Sequence, residues 1–147
     1  MKAIILAGGM GTRLSEETDV RPKPMVEIGG MPILWHIMKR LRTHDVRDFT
    51  ICLGYKGHVI KQWFNDYYLR TSDVTFDMST GTTEFHRTRA EPWRVTLLDT
   101  GQDTMTGGRL KRALHHLGEH EPVFMTYGDG VADVDVTALR AFHDSAG

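Results

Sequence analysis

An α/β fold built on a mostly parallel, doubly wound sheet is what this chain predicts, and three observations carry that prediction. The first is the run Lys2-Ala3-Ile4-Ile5-Leu6-Ala7-Gly8-Gly9, an apolar stretch without two-residue alternation that empties into glycines. Strands covered on both faces read this way, because neither side of the pleat meets water. The second is the regular exchange of such stretches with segments of helical rhythm, which implies parallel strands joined by right-handed crossovers. The third is that two strands end in glycine-flanked loops that carry charge, one running from Gly8 to Arg13 and the other Gly128-Asp129-Gly130. Open α/β sheets bind their ligands at that carboxyl edge.

Each element follows from its local pattern. Ala3 to Ala7 form the first strand. Gly29-Gly30-Met31-Pro32 is a turn with proline near a helix start, and Ile33, Leu34, Ile37, Met38 and Leu41 then recur at helical spacing. Asp48 to Leu53 read as a second strand closed by Gly54, and Val59, Ile60, Trp63, Phe64 and Tyr67 mark a second helix. The middle is different in kind: residues 73–78, 84–88 and 94–99 are short extended runs, with a turn at 79–83, and part of this region reads as an antiparallel excursion. Thr106-Gly107-Gly108-Arg109 introduces a third helix with Leu110, Ala113, Leu114 and Leu117 facing inward. Pro122 to Tyr127 form the next strand, and Asp133 or Asp135 caps a last helix carrying Ala138, Leu139 and Phe142. The 147 residues, 40% of them apolar, make one domain (1–147) without repeats, low-complexity segments or a linker.

Composition narrows the function classes. With 18 Lys and Arg against 19 Asp and Glu and no long charge run, the surface lacks a broad basic field for nucleic acid or an anionic membrane, so anion binding must be local. The single cysteine, Cys52, sits in the apolar run from Phe49 to Leu53 and reads as a reduced core residue, with no disulfide possible within the chain. The first apolar stretch is only five residues, too short for a signal-peptide core or a membrane span, and a cytoplasmic location is expected. Of the eight histidines, His115-His116 are helix neighbours that point apart, and neither they nor His36 and His58 show zinc-type spacing. Trp35, Trp63 and Trp93 read as core or interface residues before base-stacking ones.

The glycine loop is the chemical centre. Gly8, Gly9 and Gly11 let the backbone approach a ligand closely, and bare N–H groups there bind phosphate oxygens. The dinucleotide fingerprint fails because positions 10 and 13 hold Met10 and Arg13 instead of glycine. A Walker A loop fails because Lys23 lies ten residues past Arg13 on a proline-braced segment, Arg21-Pro22-Lys23-Pro24-Met25. Arg13 can grip a polyphosphate in a planar, two-pronged way, and Lys23 adds a compact point charge. Two such cations suit a nucleoside triphosphate. The plainer alternative is an ordinary strand-to-helix turn with both cations in solvent. Asp129, a hard oxygen ligand between two glycines, is the candidate for Mg²⁺, which takes one or two carboxylates plus substrate phosphates; its plainer alternative is a turn aspartate bonding its own backbone.

Leu6-Ala7-Gly8-Gly9-Met10-Gly11-Thr12-Arg13-Leu14 and Pro22-Lys23-Pro24-Met25 resemble the pattern shared by the sugar nucleotidylyltransferases, the sugar-nucleotide pyrophosphorylases. Longer stretches resemble their glucose-1-phosphate cytidylyltransferase branch: Cys52-Leu53-Gly54-Tyr55-Lys56-Gly57, Glu91-Pro92-Trp93-Arg94-Val95, Asp99-Thr100-Gly101, Thr106-Gly107-Gly108-Arg109-Leu110-Lys111 and Tyr127-Gly128-Asp129-Gly130-Val131-Ala132-Asp133. The resemblance implies a Rossmann-like sheet of the nucleotide-diphospho-sugar transferase type. It also implies CTP and α-D-glucose 1-phosphate as substrates, with CDP-glucose and pyrophosphate as products, in a step feeding dideoxysugars of bacterial O-antigens in lipopolysaccharide. By that resemblance Leu6, Ala7, Gly8, Gly9, Met10, Gly11, Thr12 and Arg13 contact the nucleotide. Arg13 stabilises the leaving pyrophosphate, Lys23 neutralises phosphate charge, Thr104, Arg109 and Gly128 complete the nucleotide pocket, and Asp129 binds Mg²⁺. The family's enzymes form homo-oligomers and continue past residue 147 into a C-terminal half that supplies sugar contacts and a second carboxylate for Mg²⁺. Two readings therefore stand: a Mg²⁺-dependent cytidylyltransferase, or a non-catalytic CTP-binding module.

Overall fold

The computed structural model describes residues 1–9, 21–118 and 121–147. Its elements, in chain order, are β1 (Lys2–Leu6), a single 3-10 turn (Lys23–Met25), β2 (Glu27–Ile28), β3 (Met31–Pro32), α1 (Ile33–Arg42), β4 (Asp48–Leu53), α2 (Gly57–Arg70), β5 (Ser72–Asp77), β6 (Thr82–Thr88), β7 (Arg94–Asp99), α3 (Thr106–Leu117), β8 (Phe124–Tyr127) and α4 (Val136–Ala146).

Four strands make the main sheet, in the order β7-β4-β1-β8, and every pairing in it is parallel. The apolar run of β1 is continuous because both of its faces are covered. Ala3, Ile5 and Ala7 join Phe49, Ile51 and Leu53 of β4 in a core closed by Leu34, Ile37, Met38 and Leu41 of α1 and Ile60 of α2. Ile4, Leu6 and Cys52 face the other way, against Ala113, Leu110, Leu114 and Leu117 of α3. Helices on both faces make the sheet doubly wound. Trp93 packs on the rings of Phe49 and Tyr67, with centroids 5.8 and 6.3 Å apart, and Trp63 stacks on Tyr67 at 4.9 Å. The tryptophans thus serve the packing.

Part of the middle region is antiparallel, as the sequence implies. Within residues 72–99, β5 and β6 pair antiparallel, as a hairpin. Residues 94–99, which share the same short extended character, instead lie parallel to β4 as an edge strand, with Val95 opposite Phe49 and Leu97 opposite Ile51. Strand β8 begins at Phe124, two residues later than expected, where pairing with Ala3 starts; Pro122 has no N–H to contribute to a ladder. The Gly29-Gly30 turn joins β2 to β3 with φ of 60° and 82°, the left-handed pair that a two-residue hairpin needs. Helix α4 is capped by Asp135, whose Oδ1 accepts from the Ala138 N–H at 2.9 Å, while Asp133 pairs with Arg40. Among the described residues no helix is long and apolar enough to cross a membrane.

The topology locates the site. The chain steps outward from β1 to β4 to β7, then returns to place β8 on the opposite side of β1. The helices after β1 and β4 cover one face of the sheet and the helix after β7 covers the other, and α/β sheets bind ligands at the carboxyl ends of the strands where the order reverses, here β1 and β8.

Candidate nucleotide site

At that switch point lies a cavity of about 530 Å³, lined by Leu6, Ala7, Gly8 and Gly9 after β1, Lys23 and Pro24 of the 3-10 turn, residues 102–106 and Arg109 leading into α3, and Tyr127 and Asp129 at the end of β8. A volume of this size suits a small-molecule ligand.

Main-chain bonds lock its floor. The Ala7 N–H donates to the Cys52 carbonyl at 3.0 Å, and the Gly128 N–H donates to the Leu6 carbonyl at 2.9 Å, so the residues following β1 and β8 are held side by side. Gly128 is buried against Leu6, Ala7 and Pro24, where a Cβ would approach Pro24 Cγ to 3.2 Å. Its role is close approach between β1 and the proline-braced turn. Lys23 Nζ lies 3.0 Å from Asp129 Oδ2, with both side chains partly exposed to the cavity. The two residues singled out for phosphate and metal therefore share one wall, although 106 positions separate them.

Helix α3 supplies a further anion-attracting feature. Its N-terminus opens on the cavity through Met105 and Thr106, and Met105 offers no side-chain cap to the first-turn N–H groups. Uncapped N–H groups and the helix dipole favour a negative ligand there. Thr104 lines the same wall; its Oγ1 accepts from Arg112 Nη1 at 3.1 Å.

Arg109 stands apart from the other cations. It is 5% exposed, and its guanidinium donates to four acceptors: from Nη1 to the Leu53 carbonyl (3.0 Å) and Thr100 Oγ1 (2.8 Å), from Nη2 to the carbonyls of Gly8 (3.0 Å) and Gln102 (3.1 Å). Among the described residues no carboxylate lies within ion-pair distance of it. Burial holds its pKa below the ordinary arginine value, with Arg112 adding to the same direction. Burial also raises the Cys52 thiol to about 11, so this cysteine stays protonated and unreactive behind α3.

Of the residues singled out from sequence, Leu6, Ala7, Gly8, Gly9, Lys23, Thr104, Arg109 and Asp129 line this one cavity, and Gly128 underlies it. Met10, Gly11, Thr12 and Arg13 lie outside the described residues. Sequence reasoning missed Gln102, Asp103 and Tyr127 as lining residues. Tyr127 directly precedes the Gly-Asp-Gly turn, which was the available signal for it. The described residues contain no group of three or more His, Cys, Asp or Glu placed to hold a metal. Two carboxylates line the cavity, Asp103 and Asp129, and Asp129 beside Lys23 fits Mg²⁺ delivered with a polyphosphate, since that ion keeps most of its shell as water and phosphate oxygen.

Known proteins are similar to the chain over its whole length. Over all 147 residues the chain is 60% identical to a glucose-1-phosphate cytidylyltransferase of Salmonella typhimurium and 46% identical to a probable glucose-1-phosphate cytidylyltransferase of Bacillus subtilis. It spans 57% of the length of each. A crystal structure of HddC from Yersinia pseudotuberculosis, complexed with GMP-PN, superposes on 99% of this chain and 53% of that one, with a TM-score of 0.66 and 25% identity. The family model described as nucleotidyl transferase matches residues 2–145. With its parallel sheet, its switch-point cavity and a match over nearly its whole length, the chain belongs to the nucleotidyl transferase family.

Proposed function

We propose that this chain carries the CTP site of a glucose-1-phosphate cytidylyltransferase, which joins the CMP part of CTP to α-D-glucose 1-phosphate. The observation that carries the reading is the meeting of the glycine loop, Lys23 and Asp129 in one cavity at the β1/β8 switch point. The 60% identity to the Salmonella protein of that name supports the choice of CTP and of glucose 1-phosphate.

A sugar-phosphate oxygen forms a bond to the α-phosphorus of CTP while the bond from that phosphorus to the α,β-bridging oxygen breaks, and its electron pair leaves with pyrophosphate. The attacking oxygen is already anionic. No serine or cysteine nucleophile is needed, and the chain's task is alignment and charge neutralisation. In this reading the N–H groups of the Gly8-Gly9 loop and the α3 N-terminus cradle the polyphosphate, Lys23 meets phosphate charge and Arg13 stabilises the departing pyrophosphate. Thr104, Arg109 and Gly128 complete the pocket wall. Asp129 would hold Mg²⁺, which supplies charge neutralisation on the phosphates when bound. The CDP-glucose formed would serve dideoxysugar synthesis for bacterial O-antigen in the cytoplasm, by a homo-oligomer.

The test is calorimetry of purified chain with CTP, UTP and dTTP, coupled to pyrophosphate release with glucose 1-phosphate and Mg²⁺. CTP-selective binding with EDTA-sensitive release is expected of the transferase. Binding without release would leave the chain with the donor half of the reaction, and absence of CTP binding would refute both readings.

A further inference from the structure

Thr104, in the loop that leads from β7 into α3, lines the cavity and is held from two sides. Its methyl group lies over Gly108 in the first turn of α3, where an added Cβ would come within 2.8 Å of Thr104 Cγ2. Its Oγ1 accepts from Arg112, which stands one turn beyond Gly108 on the same helix face. A β-branched side chain held at both branches keeps one χ1 setting, so the place of the hydroxyl oxygen is fixed.

Arg112 is exposed, yet among the described residues it forms no ion pair. Its Nη1 serves the two ends of the loop instead, donating to the Thr100 carbonyl and, at 3.1 Å, to Thr104 Oγ1. Thr100 is the anchored end: it is buried, and its N–H and Oγ1 both donate to the Leu53 carbonyl at the end of β4, at 2.9 and 2.8 Å. The turn between the two threonines is tight. Gly101 has a φ of 88°, and a Cβ there would lie 2.7 Å from Thr104 Oγ1 and 3.1 Å from Arg112 Nη1. Both its backbone and the space around it call for glycine, and that lets the arginine close the loop.

We propose that Arg112 is a positioning residue for the nucleotide: by clamping residues 100–104 it aims the Thr104 hydroxyl hydrogen into the cavity. Arginine only donates, and a threonine hydroxyl carries one hydrogen and two lone pairs. With the Arg112 N–H on one lone pair, the hydroxyl hydrogen has nothing to donate to on that side. Among the described residues it finds no acceptor elsewhere. Thr104 therefore offers a donor to an acceptor atom of the nucleotide, and Arg112 reaches the ligand only through it.

This proposal rests on the nucleotide reading, and a double-mutant cycle separates the two. CTP binding is measured by calorimetry for wild type, Arg112→Ala, Arg112→Lys, Thr104→Val and the double variant Arg112→Ala with Thr104→Val, each checked for folding by its melting curve. Arg112→Ala and Thr104→Val should each weaken CTP binding about fivefold to tenfold, the range of one lost hydrogen bond. The double variant should bind as Thr104→Val does, because without the hydroxyl nothing is left to aim, whereas a merely structural arginine would add its own loss. Arg112→Lys keeps the charge without the planar fork and should bind like Arg112→Ala; it takes the alanine variant's place in the cycle should that one fail to fold. Losses that multiply in the double variant, a lysine variant as tight as wild type, or single variants within about twofold of wild type would overturn the proposal alone. A wild-type chain that takes up no CTP would sink the nucleotide reading and the proposal with it.

Discussion

A methyl group added at Gly8 should be far more damaging than one added at Gly9, although the two glycines are adjacent in one motif. On Gly8 the new Cβ would overlap the Arg109 guanidinium and lie 3.0 Å from Nε; on Gly9 it meets no atom of the described residues within 4 Å. Arg109 cannot step aside freely, because it is 5% exposed and donates to four acceptors. If two of those bonds are lost, at about 1.5–3 kcal/mol each for a charged donor, Gly8→Ala costs about 3–6 kcal/mol. That is a large share of the ~5–15 kcal/mol that holds a domain of this kind folded. Gly9→Ala should stay within about 0.5 kcal/mol of wild type. Urea unfolding followed by tryptophan fluorescence reads both, and the melting temperature of Gly8→Ala should drop by roughly 10 °C or more. Equal stabilities for the two variants would refute the clearance argument.

Three further outcomes follow from the site. Thr100→Val leaves an Arg109 donor without its acceptor in a buried position and should cost about 1–3 kcal/mol in the same urea assay, whereas an exposed control such as Thr83→Val should be near neutral. Lys23→Ala should lower pyrophosphate release on the order of 10²-fold in any assembly that shows it, while Mn²⁺ uptake at Asp129 in nucleotide-free protein improves a few-fold, because the ion pair it frees is part-exposed and worth about 1 kcal/mol or less. Unchanged turnover would remove Lys23 from the chemistry, and weaker Mn²⁺ uptake would show that the lysine does not compete for Asp129. Cys52 should resist thiol reagents at pH 8 until the chain unfolds. Its folded pKa of about 11 lies above the ordinary 9.0, so its contribution is fully present below pH 9 and is lost as pH rises through 11, up to about 3 kcal/mol. Rapid labelling of folded protein would contradict its burial.

By itself the sequence determined the regular frame. The continuous apolar run at residues 3–7, the mostly apolar one at 49–53 and the helical rhythm of 33–41 and 59–67 are local signals, because burial on both faces or on one helix stripe dictates which residue types occur at each position. Gly8, Gly9, Lys23 and Asp129 stand out in the sequence by residue type and spacing, and the fold gathers them in one cavity. Tertiary structure decided what no local window contains. Residues 94–99 have the same extended character as the hairpin strands, and only pairing with β4 sends them into the main sheet. Lys23 and Asp129 become neighbours because β8 returns beside β1 at the switch point, a consequence of strand order. Arg109 lies in the first turn of a helix, and the family resemblance implies a place for it in the nucleotide pocket. Three strand ends and one loop converge to supply its acceptors, and that convergence exists only once the sheet is assembled, so the fold alone turns its guanidinium inward onto Gly8.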